Sequence, residues 1–144
     1  MKIRVLVVDD ERAFADTLAE RLQARGLYVV TAYDGNEALG RLKEEDFDVV
    51  ILDMVMPEAD GIQVLNEIKL LKPLVEVVLL TGFGTLDAAV SSLQRGAFYY
   101  LMKPADMKEL LKNIVHAYKR KMEHEERIRQ AEIKRITVML GEEA

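Results

Sequence analysis

"VLVVDDE" (residues 5–11) runs four apolar residues straight into two adjacent aspartates and a glutamate. A strand with no polar alternation is predicted to be buried on both faces, as a central strand of a parallel sheet is. Like charges crowded at its end should repel one another unless a cation sits close by. The pattern therefore asks what the strand delivers to that end.

The same design recurs along the chain. Apolar runs stand at "YVVTA" (28–32), "DVVILD" (48–53), "EVVLLT" (76–81) and "FYYLM" (98–102), with the first extending back to Ile3. Between them, side chains recur at helical intervals: Ala13, Phe14, Thr17, Leu18 and Leu22; Ala38, Leu39 and Leu42; Ile62, Leu65, Ile68 and Leu71; Ala89, Val90 and Leu93. Strands alternating with helices predict an α/β fold with a parallel sheet covered on both faces. Five such units occupy residues 1–118. Residues 119–144 are highly charged and read as a helical continuation of the last helix, with apolar positions too sparse for a heptad seam.

The 144 residues, half of them hydrophobic, suit one domain with a sizeable core. Zero cysteines exclude a disulfide framework, a thiolate metal site and a cysteine nucleophile. No apolar run reaches bilayer length and no secretory leader is present, so the expectation is a cytoplasmic chain without membrane contact. The net charge of −5 argues against direct nucleic-acid binding, which normally needs a basic face.

Ligands of open parallel sheets bind beyond the carboxyl ends of the strands. Those ends carry Asp9 and Asp10, then Asp53, then Thr81, and the fifth strand is followed at once by Lys103 and Pro104. Three carboxylates, a hydroxyl and an ammonium, far apart in sequence, are thus predicted to share one rim.

The combination of "VVDDE", "ILDMVMPEADG", "TGFG" and "YYLMKP", in that order, resembles the receiver domain of two-component response regulators across residues 1–118. Each motif alone is weak; four inside a βα frame are specific. The segment "TGFGTLDAAVSSLQRGAFYYLMKP" is most similar to receivers that precede sigma-54-dependent ATPase domains, although no such ATPase domain is expected here. The resemblance implies a flavodoxin-like (βα)5 three-layer sandwich, strand order 2-1-3-4-5, with an extended C-terminal helix.

It also implies roles. Asp53 would be the phosphoacceptor, its carboxylate attacking phosphorus to give an acyl phosphate. Asp10, Asp53 and the backbone carbonyl of Val55 would ligate Mg²⁺, with Asp9 acting through a water. Lys103 and Thr81 would contact phosphoryl oxygens. Thr81 and Tyr100 would form the switch, biasing a two-state equilibrium of the fourth helix, fifth strand and fifth helix, about 85–118. The phosphoryl donor would be a histidine kinase or phosphotransfer protein. The output would be a downstream protein or a self-dimer through that surface and the C-terminal helix. The chain would be a signalling phosphoprotein, not an enzyme.

Departures from the family pattern bear on detail. Ala105 stands where many receivers have phenylalanine, which should alter packing under the last helix. Val55 and Phe83 flank the site and should affect water access to the acyl phosphate. Simpler readings compete residue by residue: Asp9 and Asp10 as a solvated loop with Asp10 capping the next helix, Asp53 as an N-cap or turn residue, Thr81 as a turn hydroxyl, Tyr100 as plain core, Lys103 as an exposed lysine, Gly61 and Gly82 as backbone-conformation residues. His116 and His124 read as exposed helix residues, and the charges of 119–144 as a solvated face. A haloacid-dehalogenase-type phosphatase would need an acid two residues after the nucleophile, where Val55 stands. A pseudo-receiver docking module would lose the site, which this chain keeps. The receiver portion of a transcriptional regulator is the remaining alternative.

Overall fold

Five parallel strands form the central sheet of this computed structural model, which describes residues 2–56, 59–82 and 86–141. They are β1 (Arg4–Val8), β2 (Tyr28–Ala32), β3 (Val49–Leu52), β4 (Glu76–Thr81) and β5 (Tyr99–Met102). Their order across the sheet is 2-1-3-4-5, and every pairing is parallel. The helices are α1 (Arg12–Gln23), α2 (Gly35–Glu44), α3 (Gly61–Leu71), α4 (Leu86–Gln94) and α5 (Met107–Met139). The flavodoxin-like (βα)5 architecture expected from the motifs is the one observed.

Alternation along the strands divides the core in two. Leu6, Val8, Val50, Leu52, Val77 and Leu79 pack against Ala38 and Leu42 of α2 and Val64, Leu65 and Ile68 of α3. Val5, Val7, Val49, Ile51, Val78 and Leu80 pack against Ala15, Leu18 and Leu22 of α1 and Leu110, Ile114 and Ala117 of α5. Both faces of each central strand are thus covered, which is why those strands show no polar alternation. Burying each large apolar side chain contributes about 1.5–3 kcal/mol. Asp34 caps α2, accepting from the Glu37 amide at 2.7 Å, and Asp106 caps α5, accepting from the Lys108 amide at 3.2 Å. Ala105 is half-buried against the α1–α5 cluster.

One element has no counterpart in the sequence reading. Val55–Met56 and Ala59–Asp60 pair as a short antiparallel ribbon directly after Asp53. Two-residue strands bury too little to leave a periodic signal in sequence. Phe83 and Thr85 lie outside the described residues, as does the side chain of Val55.

At the amino ends of β3 and β4 two buried carboxylates face α5. Asp48 accepts from Lys121 Nζ at 3.1 Å through Oδ1 and from the Arg4 amide at 2.9 Å through Oδ2. Glu76 pairs with Lys69 Nζ at 3.6 Å and with Arg120 Nε at 3.1 Å. The Arg120 contact lacks hydrogen-bond alignment and acts as a charge pair. The segment from 119 onward is largely the solvated face read in sequence, except at its start, where Arg120 and Lys121 reach back to the base of the sheet. His116 is exposed as expected, whereas His124 is half-buried on the turn that Lys121 anchors. Beyond it, Ile128, Ile133, Ile136, Val138, Met139 and Leu140 are exposed. No helix among the described residues is long and apolar enough to cross a membrane.

Candidate functional site

Strand register brings the predicted residues together. Val8 pairs with Ala32 on one side and Leu52 on the other, so the residues that follow, Asp9 and Asp53, emerge side by side. Backbone bonds hold them there: the Asp9 amide donates to the Ala32 carbonyl at 3.1 Å, and the Asp53 amide to the Val8 carbonyl at 3.0 Å. Thr81 pairs with Met102, and the next amide, that of Lys103, donates to the Thr81 carbonyl at 2.8 Å. The Lys103–Pro104 peptide is cis.

The side chains converge as the topology requires. Carboxylate oxygens of Asp9, Asp10 and Asp53 lie within 4.8 Å of one another. Lys103 Nζ is 2.7 Å from Asp9 Oδ2, 3.4 Å from Glu11 Oε1 and 3.7 Å from Asp53 Oδ2. Asp9 and Asp53 are buried, and only 13% of the Lys103 side chain is exposed, so the ammonium points into the rim. This answers the electrostatic question posed by "VLVVDDE": the missing cation arrives from a residue 94 positions away. Burial pulls the Lys103 pKa down, but the Asp9 hydrogen bond and the charges of Asp53, Asp9 and Glu11 outweigh it, leaving it above the usual lysine value.

Asp9 already uses both oxygens. Oδ1 accepts from the Glu11 amide at 3.0 Å, and Oδ2 takes the lysine. The all-oxygen donor set of Asp9, Asp10 and Asp53 fits a hard divalent cation of the Mg²⁺ class. Asp10 does not stand at the N-cap of α1, which is Glu11, with no side-chain cap bond.

Thr81 is fully buried at the end of β4. Tyr100 packs on the α2–α3 side of the sheet, beside Leu79 in register. Its hydroxyl is buried without a hydrogen-bond partner among the described residues, and burial raises its pKa. A buried unpaired hydroxyl costs free energy.

Gly61 has a steric reason, not a conformational one, since its φ is not positive. Its amide donates to the Met54 carbonyl at 3.1 Å, and a Cβ there would stand 2.6 Å from that oxygen and 2.9 Å from its carbon. Met54 follows Asp53 directly, so the contact holds the loop that carries the carboxylate. Gly61→Ala is expected to cost roughly 1–3 kcal/mol by urea denaturation, since backbone cannot yield as a side chain would. A Cβ at Gly82 would meet only Lys103 Cδ at 3.9 Å, so Gly82→Ala should be sterically tolerated.

Two neighbours of Lys103 escaped the sequence reading, Glu11 and the Phe14 ring, whose centroid lies 4.0 Å from Nζ. Their closeness in sequence to Asp9 and Asp10 was the available signal. What it lacked was the direction from which Lys103 arrives.

Comparison with known proteins agrees with this geometry. The chain is 40% identical to the transcriptional regulatory protein ZraR of Salmonella typhimurium over 116 residues, 81% of this chain but 26% of ZraR. The chain thus spans about a quarter of the length of that relative. A CheY-like receiver domain from Methanospirillum hungatei superposes with a TM-score of 0.81 at 29% identity, covering 86% of this chain and 99% of that one. A response regulator from Burkholderia pseudomallei, solved with a phosphorylated aspartic acid and a calcium ion, gives 0.75 at 27% identity, covering 97% and 86%. Residues 5–115 match the response regulator receiver domain, and with the acidic rim and its lysine in place the chain belongs to that family of two-component signalling proteins.

Proposed function

We propose that this chain accepts a phosphoryl group on Asp53 from a histidine kinase or phosphotransfer protein and answers with a changed surface. The observation that carries the reading is the Lys103 ammonium held 3.7 Å from Asp53 and 2.7 Å from Asp9, beside Asp10, on one rim. The likeness to the B. pseudomallei regulator, whose structure contains a phosphorylated aspartic acid, supports it.

In the step itself, an Asp53 oxygen supplies the electron pair of the new P–O bond. The bond from phosphorus to the donor breaks, and the donor keeps its electrons. Such transfers need positioning and charge neutralisation more than covalent assistance. Lys103 neutralises one phosphoryl oxygen and the Thr81 hydroxyl donates to another. Asp10, Asp53 and the Val55 carbonyl would hold Mg²⁺ directly and Asp9 through a water, and the bound ion would neutralise further phosphoryl charge. The product is a state of the protein, so the chain signals and does not turn over a substrate.

The new contacts exist in only one conformation and so shift a two-state equilibrium through Thr81 and Tyr100. A near-complete shift needs about 5 kcal/mol of differential contact energy. The responding surface is α4–β5–α5, where Val90, Leu93, Tyr99, Met102 and Val115 are exposed. It would control a partner protein or a self-dimer, with the apolar residues along distal α5 extending the contact. That surface is not expected to bind nucleic acid itself, and the setting is the cytoplasm. Because the chain matches only part of ZraR, a second reading makes it the receiver portion of a transcriptional regulator, acting on an output domain.

The test is incubation with acetyl phosphate and Mg²⁺. One phosphoryl group should be gained by the wild type and none by Asp53→Ala; equal labelling of both would refute the reading. Mg²⁺ alone should raise the thermal midpoint, and Asp10→Asn should reduce that rise, as a ligand bound only by the native state requires.

A further inference from the structure

The Lys103 ammonium is held by more than carboxylates. Its Nζ lies over the ring of Phe14, 4.0 Å from the centroid, inside the range of a cation–π contact. Phe14 is half-buried, packs against the α1–α5 cluster and precedes the fully buried Ala15 on the first turn of α1. The ring is therefore fixed by the helix, whereas Lys103 ends a flexible four-carbon stem.

We infer that Phe14 is a positioning residue, a ring that holds the Lys103 ammonium at the acidic rim without occupying any of its hydrogen-bond donors. An ammonium has three donors and no acceptor. Carboxylates at 2.7, 3.4 and 3.7 Å compete for them, and Asp9, not Asp53, is nearest. Asp9 and Glu11 take two of the three donors, so a lysine held only by carboxylates is drawn towards them and away from Asp53, which at 3.7 Å lies beyond hydrogen-bond distance. Attraction to a ring face has no such directionality. It restrains the charge over an area and leaves the N–H groups free to change partner. Leucine or methionine at position 14 would keep the apolar packing but remove the face, and Lys103 would settle on Asp9 and Glu11 or sample solvent. The inference rests on the proposed phosphorylation of Asp53.

The experiment uses the full chain as wild type, Phe14→Leu and Phe14→Tyr, with two readouts. The first is the proton shift of the Lys103 ε-methylene, which an aromatic face moves upfield. The second is the rate of Asp53 phosphorylation by acetyl phosphate with Mg²⁺. The upfield shift should be present in wild type and Phe14→Tyr and absent in Phe14→Leu. Phosphorylation should slow roughly three- to tenfold in Phe14→Leu and recover in Phe14→Tyr. Phe14→Met, similar in volume but without a ring, repeats the comparison should leucine unfold the chain. Equal rates with and without the ring, at a wild-type Asp53 that does become phosphorylated, would overturn the inference and leave the proposed function standing. A wild type that takes up no phosphoryl group would overturn both.

Discussion

Replacing Lys103 with methionine is expected to slow phosphorylation of Asp53 by roughly a hundredfold, the usual consequence of removing a preorganised charge from a phosphoryl-transfer site. Methionine keeps most of the stem and removes the charge that lies within 4 Å of Asp9, Glu11 and Asp53. The same substitution should lower stability by about 3 kcal/mol, because Asp9 would stay buried without its ammonium. Mg²⁺ should restore part of that stability, since it supplies positive charge to the same carboxylates, but little of the rate. Urea denaturation with and without Mg²⁺, alongside single-turnover labelling, separates the two effects. A variant as stable as wild type without Mg²⁺ would show that Lys103 does not compensate the acidic rim.

Asp48→Ala should be strongly destabilising, by about 3 kcal/mol. It strands Lys121, a buried lysine whose remaining partner is the more exposed Glu125 at 3.3 Å, and removes the acceptor of the Arg4 amide. Asp48→Asn should cost less, because an amide oxygen still accepts a hydrogen bond. Replacing Asp48 and Lys121 together with apolar residues should recover much of the loss, as expected when both members of a buried pair are removed. The pair also predicts a pH dependence. Burial pulls the Lys121 pKa down, but the hydrogen bond and charge of Asp48 and the charge of Glu125 outweigh it, so the folded value lies above 10.5. A raised lysine pKa gives stability that is complete below the unfolded value and is lost as pH climbs through the folded one. The stability gap between wild type and Asp48→Ala should therefore hold at neutral pH and narrow above pH 10.5.

The fold was legible because the three central strands state their environment. "VLVV", "VVIL" and "VVLL" lack polar alternation, and only a sheet covered on both faces makes that pattern favourable. The rim was legible for a related reason, since polar residues that end buried strands have few other uses. Asp9, Asp10, Asp53 and Lys103 are brought together as their strand-end positions imply. The basal pairs were not legible. Asp48 and Glu76 open their strands visibly, but nothing along the chain says that Lys121 and Arg120 arrive there, because that depends on how far α5 runs across the sheet. The ribbon after Asp53 and the Phe14 ring over Lys103 are likewise products of three-dimensional approach. Gly61 shows the same limit: its residue type was readable, but its reason, the Met54 backbone beside it, was not.

The central claim is that the carboxylate gathered with Asp9, Asp10 and Lys103 at the ends of β1 and β3 is the one that takes the phosphoryl group. The most direct measurement is to label the chain with acetyl phosphate and Mg²⁺, reduce the acyl phosphate with borohydride, and locate the reduced residue by tandem mass spectrometry. The prediction is a single modified position, Asp53, lost when Mg²⁺ is chelated. A modification at any other carboxylate, or none at Asp53 under conditions where the chain is folded, would contradict it.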